Sequence, residues 1–441
     1  MLDIKYIREN QDKIKKAVKD KGINFDIDEL LAIDSQRKLI MGESEAIRAE
    51  QKKTQDRKKA TELKDRHKEL ELKLKSVEEE FQTLMIRVPN IPSEDTPVGK
   101  DADDNVEVFR SGELPVFDFE PKDHVELAEA LDIIDFERGA KVAGYRGYYL
   151  KNEGAQLALA LMMFAFNKMI AKGYRPMIPP TLVKGFALFG SGYFKGVRYD
   201  PEVDEIYEIA SQDREASGEQ NKERKFLVGT AEPSLLAYYS DEMLKEEDLP
   251  IRIAGFSQCY RSEIGSYGKD TRGLYRVHEF MKIEQVVIAP ADIAESDKLQ
   301  KEMTEITREI HADLGLPFRQ IQICTGDMGL GKYKMFDTEV WLPGSKRWAE
   351  TGSASNFLDW QARRLNVKYV TKDGEKKFAY LLNNTALPTP RPIIAILENY
   401  QTKEGTVIVP EVLRPYLGGM KEIKREFMRV IRPITARTLF T

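Results

Sequence analysis

The stretch FSQCYRSEIGSYGKDTRGLYRVHEFMKIEQ, residues 256–285, decides how this chain is read. It has the pattern of two strands joined by a polar loop of mixed charge, from Gly265 to Gly273. Arg261 and Glu263 sit two apart, so an extended strand would point them the same way. On the return strand Tyr275, Val277, Glu279 and Met281 alternate with Arg276, His278, Phe280 and Lys282. A guanidinium binds phosphate through paired charge-assisted hydrogen bonds, a carboxylate accepts from an exocyclic amine, and a phenyl ring offers a flat face to a purine. The ligand this combination suggests is ATP. On pattern alone, an amphipathic surface hairpin laced with ion pairs is also open.

Outward from this hairpin, the 441 residues exceed one ordinary domain, and 41% hydrophobic residues can supply a sizeable core. The net charge of −5 argues against a nucleic-acid partner only until its distribution is read. Between Arg48 and Lys68 there are nine Lys or Arg against four Asp or Glu, a local excess of five positive charges. Only Cys259 and Cys324 occur, with no CxxC pair, and only four histidines, so neither a disulfide framework nor a zinc site is signalled and no zinc is expected. The first residues, MLDIKYIRENQDKIKKAVKDKG, lack the apolar region of a secretory signal, and no uninterrupted apolar run of membrane-spanning length follows. The expectation is a cytoplasmic protein with no membrane partner.

From Asp28 to Arg87 there is no proline and one glycine, and charged residues dominate. Ile33, Ile40 and Ile47 recur every seven residues, and Leu63, Leu70, Leu74, Val77, Phe81 and Leu84 continue in steps of seven, four and three. These are coiled-coil seams. The gap between Ile47 and Leu63 predicts a reversal there, with a polar tip near Lys58 to Thr61 and two antiparallel helices of about 30 residues each, about 45 Å long. A dimerisation coil or spacer with a solvated charged face would carry the same heptads. VPNIPSEDTPVGKDADDN, from Val88 to Asn105, ends the helix and links to a second domain. There, helical periodicity at Asp123 to Glu137 and Gly154 to Lys172 mixes with strand-like runs at 226–228, 252–259, 285–288, 319–324 and 338–341. Strands outside a repeating βα pattern predict an α+β domain with an antiparallel sheet flanked by helices. The hydrophilic stretch Asp213 to Lys225 reads as a solvated loop.

The run CYRSEIGSYGKDTRGLYRVHEF resembles motif 2 of the class II aminoacyl-tRNA synthetases, in the wording of the seryl-tRNA synthetases. GTAEPSLLAYY from Gly229, FDTEVWLPGSKRWAETGSASNFLDWQARRLN from Phe336 and LLNNTALPTPRPIIAILENYQ from Leu381 agree with it in the family's order, and GYRPMIPPTLVK (173–184) resembles motif 1. The resemblance spans essentially the whole chain. It implies an N-terminal tRNA-binding unit (1–105, helical hairpin about 28–87) and a catalytic unit (106–441) with motif 2 at 256–285 and motif 3 at 381–401. The implied activity is ATP-dependent activation of serine, then transfer to tRNA(Ser), with tRNA(Sec) as a further acceptor, by a homodimer that binds tRNA across subunits.

Residue by residue, the resemblance gives Arg261 and Arg391 catalytic roles. It gives ATP contacts to Arg261, Ser262, Glu263, Val277, His278, Glu279, Phe280, Glu350, Thr351, Gly352, Ser353 and Arg391, with Mg²⁺ held by Glu350 and Ser353. Serine contacts fall on Thr230, Ala231, Glu232, Arg261, Glu284 and Thr385, where two carboxylates suit a cationic amine. The basic tip, Lys52, Lys53, Arg57, Lys58 and Lys59, is the implied tRNA contact. Motif 3 departs from the family wording, with Pro390 and Pro392 where a glycine and a threonine usually flank the arginine. Pro392 fits the first position of a following helix, which would leave Arg391 extended. Two further readings stand beside this one, a ligase loading an amino acid onto a carrier protein and a catalytically silent tRNA-binding paralogue. The first is disfavoured by the long arm and the missing metal cysteines, and the second by the presence of Arg261, Glu350 and Arg391.

Overall fold

The computed structural model describes residues 1–210, 223–264 and 272–425. Most of the polar stretch 213–225 and of the 265–273 loop therefore lies outside the described residues. Two short helices, Ile4–Glu9 and Gln11–Asp20, precede a hairpin of Ile27–Gln51 and Arg57–Met85. Asp26 and Asp56 cap the two long helices, Asp56 accepting from the backbone N–H groups of Lys58 and Lys59. That cap starts the second helix at Arg57, so the reversal lies at residues 52–56 and not at 58–61 as the sequence suggested. The helices have 25 and 29 residues. Every seam residue from Ile33 to Leu84 is buried or half-buried, most completely towards the base, where Phe81, Leu84 and Met85 pack on Ile7, Ile14, Ile27 and Leu30.

The second unit is built on an eight-stranded sheet: β1 (Val106–Ser111), β2 (Arg175–Met177), β3 (Ile251–Tyr260), β4 (Glu279–Ala289), β5 (Phe318–Gln322), β6 (Lys334–Leu342), β7 (Arg347–Asn356) and β8 (Tyr380–Pro388). The order across it is β1-β5-β6-β7-β8-β4-β3-β2, antiparallel except for the edge strand β2, which runs parallel to β3. On β4, Ile283 and Val287 join one apolar cluster and Val286 and Ile288 another, so strand alternation assigns the clusters to opposite faces. The first carries the long helices Asn152–Ala171 and Ile293–Asp313 together with Pro390–Asn399; the second carries the short helices Glu232–Ala237 and Trp360–Leu365. Helix Asn152–Ala171 is long and apolar enough to cross a membrane by length and composition, yet half of that stretch is buried in this fold.

Three local readings are corrected. The 123–137 periodicity becomes two helices, His124–Leu131 and Phe136–Ala143, because Asp132 adopts the left-handed conformation and Ile134–Asp135 pairs as a strand. The hairpin's return strand begins only at Glu279, and Tyr275, Arg276 and Val277 precede it as irregular chain. The helix within motif 3 starts at Pro390, placing both prolines in its first turn, where the N–H groups have no intrahelical partner. Arg391 is helical, not extended.

Candidate active site

Two β-bulges set the site. On β8 the register against β4 shifts at Glu284, so Ala386 is the extra residue and Thr385 stands opposite Glu284. On β7 the register against β6 shifts at Thr351. Residues three apart in a regular strand point to opposite faces, but the extra residue brings Glu350 and Ser353 to the same cavity. Thr351 turns inward, its hydroxyl 2.8 Å from Nε2 of His311, whose pKa burial pushes down to about 4. The implied Glu350–Ser353 pair thus rests on a backbone irregularity.

Phe280, Lys282 and Glu284 share one face of β4 by alternation. Glu284 lies opposite Gly255 on β3, where a side chain would come within 2.7 Å of Leu235; its absence lets helix Glu232–Ala237 approach the sheet. Glu232, at the head of that helix, therefore lines the same cavity as Glu284. Oε2 of Glu284 receives Lys282 Nζ at 2.6 Å, the Thr230 hydroxyl at 3.0 Å and the Thr385 hydroxyl at 3.3 Å. Glu232 accepts from Gln361 Nε2 at 2.7 Å and from the Tyr193 hydroxyl at 3.1 Å. Burial, then the proximity of Glu284, pushes the Glu232 carboxyl up to about 7, against the lowering effect of those two donors. Ala231 is buried in the apolar cluster around Leu235, so its side chain packs and does not face the cavity.

A second cleft adjoins this cavity and shares Arg261, Lys282, Glu350 and Thr385 with it. It is lined also by Glu263, Tyr275, Val277, Phe280, Thr351, Gly352 and Arg391. The Arg261 guanidinium lies 5.5 Å from the centre of the Phe280 ring and Nε donates to Gly229 O at 3.4 Å. Glu263 follows with a left-handed backbone, φ 54°, and its carboxylate meets Arg276 at 3.0 Å and Arg146 at 3.6 Å. β3 has ended at Tyr260, so strand alternation is not what brings Arg261 and Glu263 to one cleft. Arg391 sits 4.5 Å from the Tyr275 ring centre and donates to Glu350 O at 2.7 Å and Tyr275 O at 3.2 Å.

Not every implied contact faces this space. His278 turns Nδ1 to Arg261 O at 2.8 Å, and Glu279 is exposed and accepts from Gln258. The Ser262 hydroxyl is buried without a hydrogen-bond partner among the described residues. Four contributors escaped the sequence reading. Lys282 had a signal, two residues before Glu284 on one strand face. Tyr193, Gln361 and Asp337 had none, because they arrive from distant segments. Asp337 pairs across from Ser353; burial and Glu350 push its carboxyl up, and one oxygen is buried without a hydrogen-bond partner among the described residues. Among the described residues no group of three His, Cys, Asp or Glu side chains is placed to hold a metal. At the arm tip Lys52, Lys53, Arg57, Lys58 and Lys59 are all exposed, and Lys59 is paired with Glu50 at 2.8 Å.

An antiparallel sheet with its cleft on one face, an arginine at the end of β3 and another in the helix after β8 define a class II synthetase core. Residues 212–400 match the tRNA synthetase class II core domain (G, H, P, S and T). Residues 1–92 match the seryl-tRNA synthetase N-terminal domain. The serine–tRNA ligase of Deinococcus radiodurans is 41% identical over 432 residues, 95% of this chain and 98% of that protein. The seryl-tRNA synthetase of Pyrococcus horikoshii complexed with ATP superposes with a TM-score of 0.86 at 35% identity, covering 97% of this chain and all of that one. The cytoplasmic serine–tRNA ligase of Naegleria fowleri in complex with AMP gives 0.83 at 31%, covering 96% and 97%. The chain belongs to the seryl-tRNA synthetase family.

Proposed function

We propose that this chain joins serine to tRNA in two steps at the paired cavities. The serine carboxylate attacks the α-phosphate of ATP, pyrophosphate leaves, and the 3′-terminal hydroxyl of tRNA then attacks the acyl carbon, releasing AMP. Neither step needs a nucleophile from the protein, so positioning and charge stabilisation supply the acceleration. The observation that carries the reading is the sharing of Arg261 between a cleft with an aromatic and guanidinium lining and a cavity holding two buried carboxylates. The first suits an adenine and its phosphates, with Phe280 and Arg391 at the base and Arg261 at the reacting phosphate. The second suits an ammonium and a hydroxyl, met by Glu232, Glu284, Thr230 and Thr385.

Mg²⁺ belongs to the proposal. Glu350 and Ser353 offer hard oxygen donors to one cavity, and Asp337, paired across from Ser353, keeps one oxygen without a hydrogen-bond partner among the described residues, a set suited to a small cation that keeps much of its water. When bound, it would neutralise triphosphate charge.

We divide the chain into a tRNA-binding unit, 1–105, and a catalytic unit, 106–441, acting as a cytoplasmic homodimer in which the arm of one subunit serves the site of the other. Support for the dimer is the exposed apolar row Leu159, Met163 and Ile170 on helix Asn152–Ala171, with Ile178 exposed a few residues beyond it in sequence. tRNA(Ser) is the acceptor, and tRNA(Sec) is to be assayed beside it. The deciding experiment is ATP–pyrophosphate exchange with serine, threonine, alanine and glycine, followed by tRNA acylation. Serine alone should give strong exchange; comparable exchange with threonine or alanine would overturn the assignment.

A further inference from the structure

The segment between the arm and the catalytic unit is not a loose tether. Lys21, which ends helix Gln11–Asp20, is 6% exposed. Its ammonium donates to three backbone carbonyls of one distant loop: Gly329 at 3.3 Å, Leu330 at 3.0 Å and Lys332 at 2.7 Å. No carboxylate forms an ion pair with it among the described residues, and burial, with Lys332 nearby, pulls its pKa well down. A cation held out of water by carbonyls alone is costly to place, and it fixes the loop that supplies them.

That loop is a wall of the catalytic cavity. Gly329, Leu330, Gly331 and Lys332 line it together with Glu232, Glu284 and Ser353. The same wall is gripped again from residues 86–93. Asn90 donates from its backbone to Leu330 O at 2.9 Å and from Nδ2 to Gly331 O at 3.1 Å and Phe357 O at 2.9 Å, and Ser93 N–H reaches Tyr333 O at 2.8 Å. Trp360 and Arg364, also on the cavity, donate back to Val88 O at 3.4 Å and Ile86 O at 3.0 Å. The wall has no slack, since a Cβ on Gly331 would meet the Trp360 ring at 2.6 Å.

We infer that Lys21 and Asn90 are positioning residues for adenylate formation: the N-terminal unit builds part of the amino-acid cavity, so the half-reaction that needs no tRNA depends on it. This rests on the reading that the cavity holds the adenylate. Exchange by the parent protein with serine, measured first, tests that reading separately.

The test uses the full chain with Lys21→Met, Lys21→Arg and Asn90→Ser. Moving a substrate-lining wall by an ångström costs about 10- to 100-fold, so kcat/KM for serine in exchange should fall by that much in Lys21→Met and Asn90→Ser. tRNA(Ser) affinity should not change, because the basic tip is untouched, and Lys21→Arg should recover part of the loss through its retained donors. Exchange kinetics equal to the parent, with only the melting temperature lowered, would reduce both residues to structural pins and overturn the inference. Asn90→Ser keeps Lys21 in place, so the test survives if Lys21→Met fails to fold.

Discussion

Glu232 gives the most quantitative expectation. Its carboxyl is raised from 4.5 to about 7, so ionising it in the empty pocket costs about 3 kcal/mol more than in water, at about 1.4 kcal/mol per unit. The proposed ligand is an ammonium, which needs the ionised form. Serine's own amine stays protonated around neutrality, so the fraction of charged pocket governs the apparent affinity. With a midpoint of about 7, roughly one pocket in eleven is charged at pH 6 and ten in eleven at pH 8, and the serine KM in pyrophosphate exchange should fall about tenfold across that interval. The ATP KM should not follow it. Glu232→Gln keeps the shape, removes the titration and should flatten the serine profile while weakening binding at pH 8. The linked stability has the opposite sign. The folded state holds this proton more tightly than the unfolded one, so the contribution of Glu232 to the stability of the empty protein is fully present below pH 4.5 and is lost, by up to about 3 kcal/mol, as pH rises to about 7. A flat serine KM in the parent, or a Glu232→Gln variant that keeps the slope, would refute the role.

Arg261→Ala should leave the protein folded and slow adenylate formation by about 10² to 10³, the usual cost of one electrostatic contact at the reacting group. Single-turnover adenylation near the parent rate would exclude Arg261 from the chemistry. Replacing Lys52, Lys53, Lys58 and Lys59 together by Ala should weaken tRNA binding and flatten its salt dependence, because fewer counterions are released, with serine-dependent exchange unaffected. Lys59 should contribute least, being already paired with Glu50. An unchanged salt slope would make the arm a spacer.

The sequence by itself determined the features that depend on neighbours along the chain. Heptad spacing specified a helical hairpin, since burying one stripe leaves a charged helix little alternative, and alternation placed Phe280, Lys282 and Glu284 on one strand face. The motif wording singled out Arg261, Glu350 and Arg391, and all three line the cleft proposed for the nucleotide. Tertiary structure decided what depends on register and on distant partners. Nothing local announces that Ala386 and Thr351 are the extra residues of two bulges, yet those bulges aim Thr385 at Glu284 and turn Ser353 to the side of Glu350. The raised Glu232 carboxyl likewise comes from burial and the nearness of Glu284, set against donors from Tyr193 and Gln361, residues 39 and 129 positions away in sequence. Lys21 reads as one more lysine in a charged helix; only the folded chain takes it out of water and sets it against the loop that walls the cavity, because the carbonyls that hold it lie some three hundred residues on.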